Sequence, residues 1–126
     1  MTWTTFTPVI TFPHPPTFNV TRGRYKVKDG IAYVNVFFFA TDAGGTNNVD
    51  IQTTLRLPVN KTAGSNGSMS VVFQDGSNHF SGNALHQGFA FSEVGCRKYD
   101  NTPIMTTGTI ECAITGFYET DAADTV

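Results

Sequence analysis

The chain has 126 residues, a mass of 13.7 kDa and a formal net charge of -2, which fits one domain and leaves no room for a second. Hydrophobic residues make up 40% and aromatics 13%, but charged residues only 14%, so a packed core is expected and polarity comes from Thr, Asn, Ser and Gly. With 19 Thr and 11 Phe the composition is of β type, which argues against a helical bundle or a disordered tail, and no run of 18 apolar residues offers a membrane span.

The opening, Met1-Thr-Trp-Thr-Thr-Phe-Thr-Pro, lacks the basic start and continuous apolar stretch of a secretory signal, so synthesis in the cytosol is expected. Thr2 to Thr11 alternates loosely and runs into Phe12-Pro-His-Pro-Pro, which prolines keep extended and out of a central strand. Residues 1–18 therefore read as an extended arm or edge strand. Four large aromatics, Trp3, Phe6, Phe12 and Phe18, fall in this segment. Solvated arms seldom carry so many, so the segment is expected to dock on its own domain or on an adjacent molecule. As an arm, it would be removable with the domain left folded.

Arg22 to Lys28 alternates cleanly, with Gly23, Tyr25 and Val27 on one face and Arg22, Arg24, Lys26 and Lys28 on the other. These four are half of the chain's eight basic residues. Their stripe reads either as a solvated edge that discourages aggregation or as a contact for an acidic surface. The acidic segment 119–126, with Glu119, Asp121 and Asp124, could meet it within the subunit or across an interface. Asp29-Gly30 follows as a hairpin turn, and Ile31 to Ala40 as the return strand. Phe37-Phe38-Phe39 makes one end of that strand apolar on both faces, so these residues are expected to line the core or a subunit seam.

Residues 41–48 read as a Gly and Asn loop, Val49 to Leu57 as a strand stopped by Pro58, and 60–68 as a long loop. Ser70 to Gln74 is a further strand before an Asp75-Gly76 turn. Leu85 to Val94 and Met105 to Tyr118 alternate as strands, the latter with Ile110, Cys112, Ile114, Gly116 and Tyr118 on one face. Cys96 and Cys112 are expected to be reduced thiols, Cys112 a small core residue. About eight strands joined by turns predict a single all-β domain over residues 1–126, an antiparallel β-sandwich of jelly-roll type.

No catalytic or cofactor motif stands out. His14, His79 and His86 lack the third ligand and tight spacing of a zinc site, with His79 and His86 expected on either side of a turn. No serine sits in a nucleophile elbow. Glu93 and Glu111 read as exposed carboxylates rather than a sugar-cleaving pair. The Gly-rich segments lack the ending of a phosphate loop, and the negative net charge disfavours nucleic acid. Trp3 or Tyr33 can stack on a sugar.

Trp3-Thr-Thr-Phe-Thr-Pro, Gly23-Arg-Tyr-Lys-Val-Lys-Asp-Gly-Ile-Ala-Tyr-Val, Leu55-Arg-Leu-Pro and Ile114-Thr-Gly-Phe-Tyr together resemble the small β-sandwich modules of tailed-bacteriophage virion proteins. The resemblance runs from about Thr2 to Thr120 and carries over no catalytic residue. It implies a structural role on the outer surface of the particle, commonly as a trimer. Without a shaft or coiled coil, the chain is similar to a capsid decoration, or cement, protein that binds the major capsid protein and stabilises the head by mass action. Expected contact elements are Trp3, Phe6, Phe12, Phe18, Arg22, Arg24, Lys26 and Lys28. The alternative is a receptor-binding module of a tail fibre or baseplate, whose loops 41–48 and 60–68 grip host surface glycan. No cofactor, metal, nucleic acid or membrane is expected as a partner.

Overall fold

Strand β3 (Thr17–Lys28) turns into β4 (Ile31–Ala43) through two residues only, Asp29 and Gly30. Both have positive φ, 51° and 80°, as the tightest right-twisting hairpin turn requires, and the Asp-Gly pair tolerates this at little cost. The register that follows, Lys28 opposite Ile31 and Gly23 opposite Val36, fixes which face each residue occupies. On β4 the inward set is Ala32, Val34, Val36, Phe38 and Ala40, all buried.

These observations come from a computed structural model that describes residues 2–43, 46–47, 49–53, 67–75, 78–87, 93–98, 104–105 and 108–125. The further strands are β1 (Thr4–Phe6), β2 (Pro8–Thr11), β5 (Thr46–Asn47), β6 (Val49–Thr53), β7 (Gly67–Asp75), β8 (Asn78–Gln87), β9 (Glu93–Lys98), β10 (Ile104–Met105) and β11 (Gly108–Glu119). No helix occurs among the described residues. The fold is all-β and antiparallel. Its main sheet runs β1-β3-β4-β11-β7-β8-β9-β6-β2, with β10 and β5 forming a separate short pair.

Strands β1 and β2 are separated by Thr7 alone, yet β1 pairs with β3 at one end of the sheet and β2 with β6 at the other. Two residues span only about 7 Å. The sheet must therefore curl until its two edges meet, and the N-terminal segment closes it. The interior is filled by inward-facing residues, among them Phe6, Phe12, Val27, Met69, Val71, Phe73, Cys96, Ile110, Cys112, Ile114 and Tyr118.

Phe6 sits under Gly23, its partner across the ladder. A Cβ at Gly23 would lie 2.6 Å from the Phe6 ring, so the missing side chain is what lets the ring in. Phe12 and Phe18 pack on Phe38 with ring centroids 5.8 Å away in both cases, near edge-to-face. Phe18 has the wrong parity to share a face with Gly23, Tyr25 and Val27. A bulge between Phe18 and Val20 corrects it, turning Phe18 inward and leaving Val20 exposed.

Several expectations from the sequence need revision. The segment Leu85 to Val94 belongs to two strands, since β8 ends at Gln87 and β9 begins at Glu93, with 88–92 outside the described residues. Asn78 to Ala84 is part of β8, which alternation missed, so His79 and His86 lie on one strand and not across a turn. Of the strand expected over Val49 to Leu57, Val49–Thr53 forms β6, and residues 54–57 lie outside the described set. In the 41–48 loop, 41–43 end β4 and Thr46–Asn47 form β5, while 44, 45 and 48 are not described. Residues 60–66 and Gly76 are likewise outside it.

Candidate functional site

The outer faces of β1, β3, β4 and β11 stand side by side, and their register sorts the outward residues into rows that cross the strands. Arg24 lies opposite Thr5 on one side and Asn35 on the other, and Asn35 opposite Thr115. This polar row, Thr5-Arg24-Asn35-Thr115, is the floor of a groove of about 480 Å³ that also takes in Arg22, Phe37 and Ala113. That volume falls in the range of small-ligand clefts.

Aromatic side chains form ridges along the groove. On one side Lys26 is opposite Tyr33, and Tyr33 opposite Phe117. The Tyr33 and Phe117 rings are 6.4 Å apart, and both are exposed, at 38% and 47%. Trp3 continues this ridge, with the Arg24 guanidinium 4.3 Å and the Lys26 ammonium 4.5 Å from its ring centroid. On the other side Arg22 is opposite Phe37 and lies 4.8 Å from its centroid, with Ala113 and then the exposed Val72 beyond. Each cation is thus held over a π face, a contact worth about 0.5–1 kcal/mol at an exposed site. A guanidinium lying on a ring keeps its N–H edge available in its own plane.

Lys28, the fourth cation of the stripe, is used differently. Its ammonium lies 3.6 Å from Asp124 and 3.8 Å from Asp29. Asp124 also accepts from the Asp29 amide at 2.9 Å. The acidic segment therefore meets the basic stripe within the subunit, at Lys28. Beside it the Thr125 amide donates to the Val27 carbonyl at 3.0 Å, and the Val27 amide donates to Thr125 Oγ1 at 3.1 Å. Thr120 donates its amide to the Gly30 carbonyl at 2.9 Å. The chain end thus occupies the free edge of β3 just past the point where β1 stops. Among the described residues Arg22, Arg24 and Lys26 pair with no carboxylate.

The residues expected to make contacts are divided by the structure. Arg22 and Arg24 line the groove, while Trp3 and Lys26 stand in the neighbouring row, with Arg24 and Lys26 both over the Trp3 ring. Phe6 and Phe12 are core side chains, 6% and 5% exposed, and Phe18 packs against the same core, so a partner cannot reach Phe6 or Phe12 in this fold. Of the aromatic triplet, Phe38 is fully buried, whereas Phe37 and Phe39 are half-buried on the outer face. An arginine covers Phe37 where a second layer was expected.

Asn35, Thr115 and Phe117 were not singled out from the sequence. Alternation places Asn35 beside Tyr33 and Phe37, but the neighbourhood of Thr115 and Phe117 depends on pairing strands some 80 residues apart.

Three further titratable side chains, Cys96, Cys112 and Tyr118, are buried in the core. Cys96 and Cys112 are buried free thiols. Burial, and then the nearby Cys96, pushes the Cys112 thiol well above its ordinary value. Burial, with Tyr25 adding to it, raises the Tyr118 phenol far above its own. Among the described residues no group of three His, Cys, Asp or Glu stands close enough to hold a metal ion, and no helix is long and apolar enough to cross a membrane. Compared with known proteins, the chain matches no family model, no curated protein and no solved structure.

Proposed function

We propose that this chain is an adhesion protein of the bacteriophage particle surface, a homotrimer with no chemistry of its own that binds through the groove face. The fold reading that accompanies it is a jelly-roll-like β-sandwich. Counting β1 and β2 as one strand interrupted at Thr7 leaves eight strands around the main sheet. In the first half β6 returns to lie beside β2, so the order is fourth, first, second, third. In the second half β11 returns beside β7 in the same way. Two such Greek keys are the ingredients of a jelly roll.

Of the two placements, capsid decoration through the major capsid protein and receptor binding to host glycan, the groove favours the second. The observation that carries this choice is the floor of side-chain hydroxyl, amide and guanidinium groups between aromatic ridges. Ring faces and fixed polar side chains suit a sugar, whereas a protein seat of standard size is broad and centred on buried apolar anchors. Counting copies in electron cryomicroscopy of intact particles tests it. A few dozen at the tail is the expected result; hundreds on the head lattice would reverse the choice in favour of decoration.

A further inference from the structure

We infer that the groove is specific for an anionic oligosaccharide, its carboxylate or sulfate group held between Arg22 and Arg24; this rests on the glycan-binding reading above. Arg22 and Arg24 stand two residues apart on the same face of β3, their Cα atoms about 6.6 Å from each other by strand geometry. Both line the groove, and among the described residues neither has a carboxylate partner. Each is pinned over a ring, Phe37 or Trp3, so little side-chain freedom is lost when an oxyanion arrives. Lys26, also over Trp3, adds a third positive charge beside them. In a chain of net charge -2 this concentration is local, and it selects for charge of the opposite sign.

Geometry separates a saccharide from an acidic peptide. Extended peptides gain affinity by adding to an exposed sheet edge. Here the main-chain groups of β4, β11 and the Gly23–Tyr25 stretch of β3 are taken by ladders on both sides, so along the floor the groove offers side chains. Its polar floor crosses four strands, about 14 Å at ordinary strand spacing, between the Tyr33 and Phe117 rings and the Phe37 ring. A short oligosaccharide can lie along it with ring faces against aromatics and its charged group at the arginines.

Trp3 is the only tryptophan, and it touches Arg24 and Lys26, so its fluorescence reports on this site. The full chain should be titrated with oligogalacturonate, a heparin oligosaccharide, a neutral cello-oligosaccharide and a poly-glutamate peptide. Expected is a saturable, salt-sensitive change in Trp3 emission with one or both anionic sugars and none with the neutral sugar or the peptide. Binding of oligogalacturonate shows that a carboxylate suffices, and binding of heparin alone shows that sulfate is required, since heparin carries both groups. The Arg22→Ala/Arg24→Ala variant should weaken that binding at least about tenfold with an unchanged unfolding midpoint, as expected for losing charge-assisted hydrogen bonds at an exposed surface.

Equal binding of the neutral sugar would overturn the anion specificity and leave the glycan reading standing. Equal binding of poly-glutamate would replace the saccharide by an acidic protein surface. Silence toward all four ligands overturns the inference, and head-lattice copies of the protein would then remove the glycan reading as well. A variant that binds as well as the parent chain would move the site away from the arginines.

Discussion

The two ends of the chain are fixed to the same hairpin region by opposite means. At the start, β1 and β2 close the main sheet and place Phe6 and Phe12 in the core. At the finish, buried Thr120 leads into residues 121–125 at the surface, and the segment is held by hydrogen bonds to Val27, Asp29 and Gly30 and by the Asp124–Lys28 pair. Apolar burial contributes about 25 cal/mol per Å², whereas polar contacts exchange with water and an exposed ion pair is screened by salt, so both contribute less net. The lesson is that a terminus reading as an arm can be structural, and that the number of contacts a segment makes is no measure of the apolar surface it buries.

Deleting residues 2–12 should break the contrast most severely. It opens both edges and removes two core aromatics, so loss of a cooperative thermal transition is expected, while deleting 121–126 should leave the transition intact and lower its midpoint. Phe6→Ala should cost about 3–5 kcal/mol in denaturant unfolding. Gly23→Ala tests the same contact from the other side, because its Cβ would meet the Phe6 ring at 2.6 Å. A loss of about 1–3 kcal/mol is expected, partly recovered when Phe6 is also shortened to Leu.

High pH probes the buried groups between these extremes. The unfolded thiol and phenol release protons near pH 8.5 and 10, and the folded Cys112 and Tyr118 only well above those values. Above each unfolded pKa the unfolded state binds fewer protons than the native state. Stability is therefore full below about pH 8.5 and falls as pH rises, by about 1.4 kcal/mol per pH unit and per group. Tyrosinate absorbance from Tyr118 should appear together with unfolding and not before it.

At the C-terminal end the effects should be small. Thr125→Ala is expected to cost about 0.5–1.5 kcal/mol through the Val27 contacts. Asp124→Asn should cost less than about 1 kcal/mol, with the Lys28 part of it vanishing in high salt, since both side chains are well exposed.

Alternation carried much of the fold. The β3–β4 hairpin, its Asp-Gly turn, the inward set of β11 and the separation of Arg22, Arg24 and Lys26 from Gly23, Tyr25 and Val27 are all properties of neighbours in sequence. Where the reading stopped, the cause was long-range pairing or a broken period. Phe18 shares the core through a bulge that no two-residue period reveals. Phe6 and Phe12 read as available aromatics because nothing local states that Gly23 makes room for one and Phe38 receives the other. Half of the groove, Trp3 with Arg22, Arg24 and Lys26, was legible as residue type. The other half, Asn35, Thr115 and Phe117, comes into place only once β11 lies beside β4.

That position of β11 also bears on how the protein is made. Of the described strands β11 is translated last, yet it lies between β4 and β7, far from either end of the main sheet. Until it leaves the ribosome, β4 and β7 each present a bare row of amide and carbonyl groups where β11 will go. Filling the gap between them must wait for β11, and the nascent protein carries two sticky edges until then.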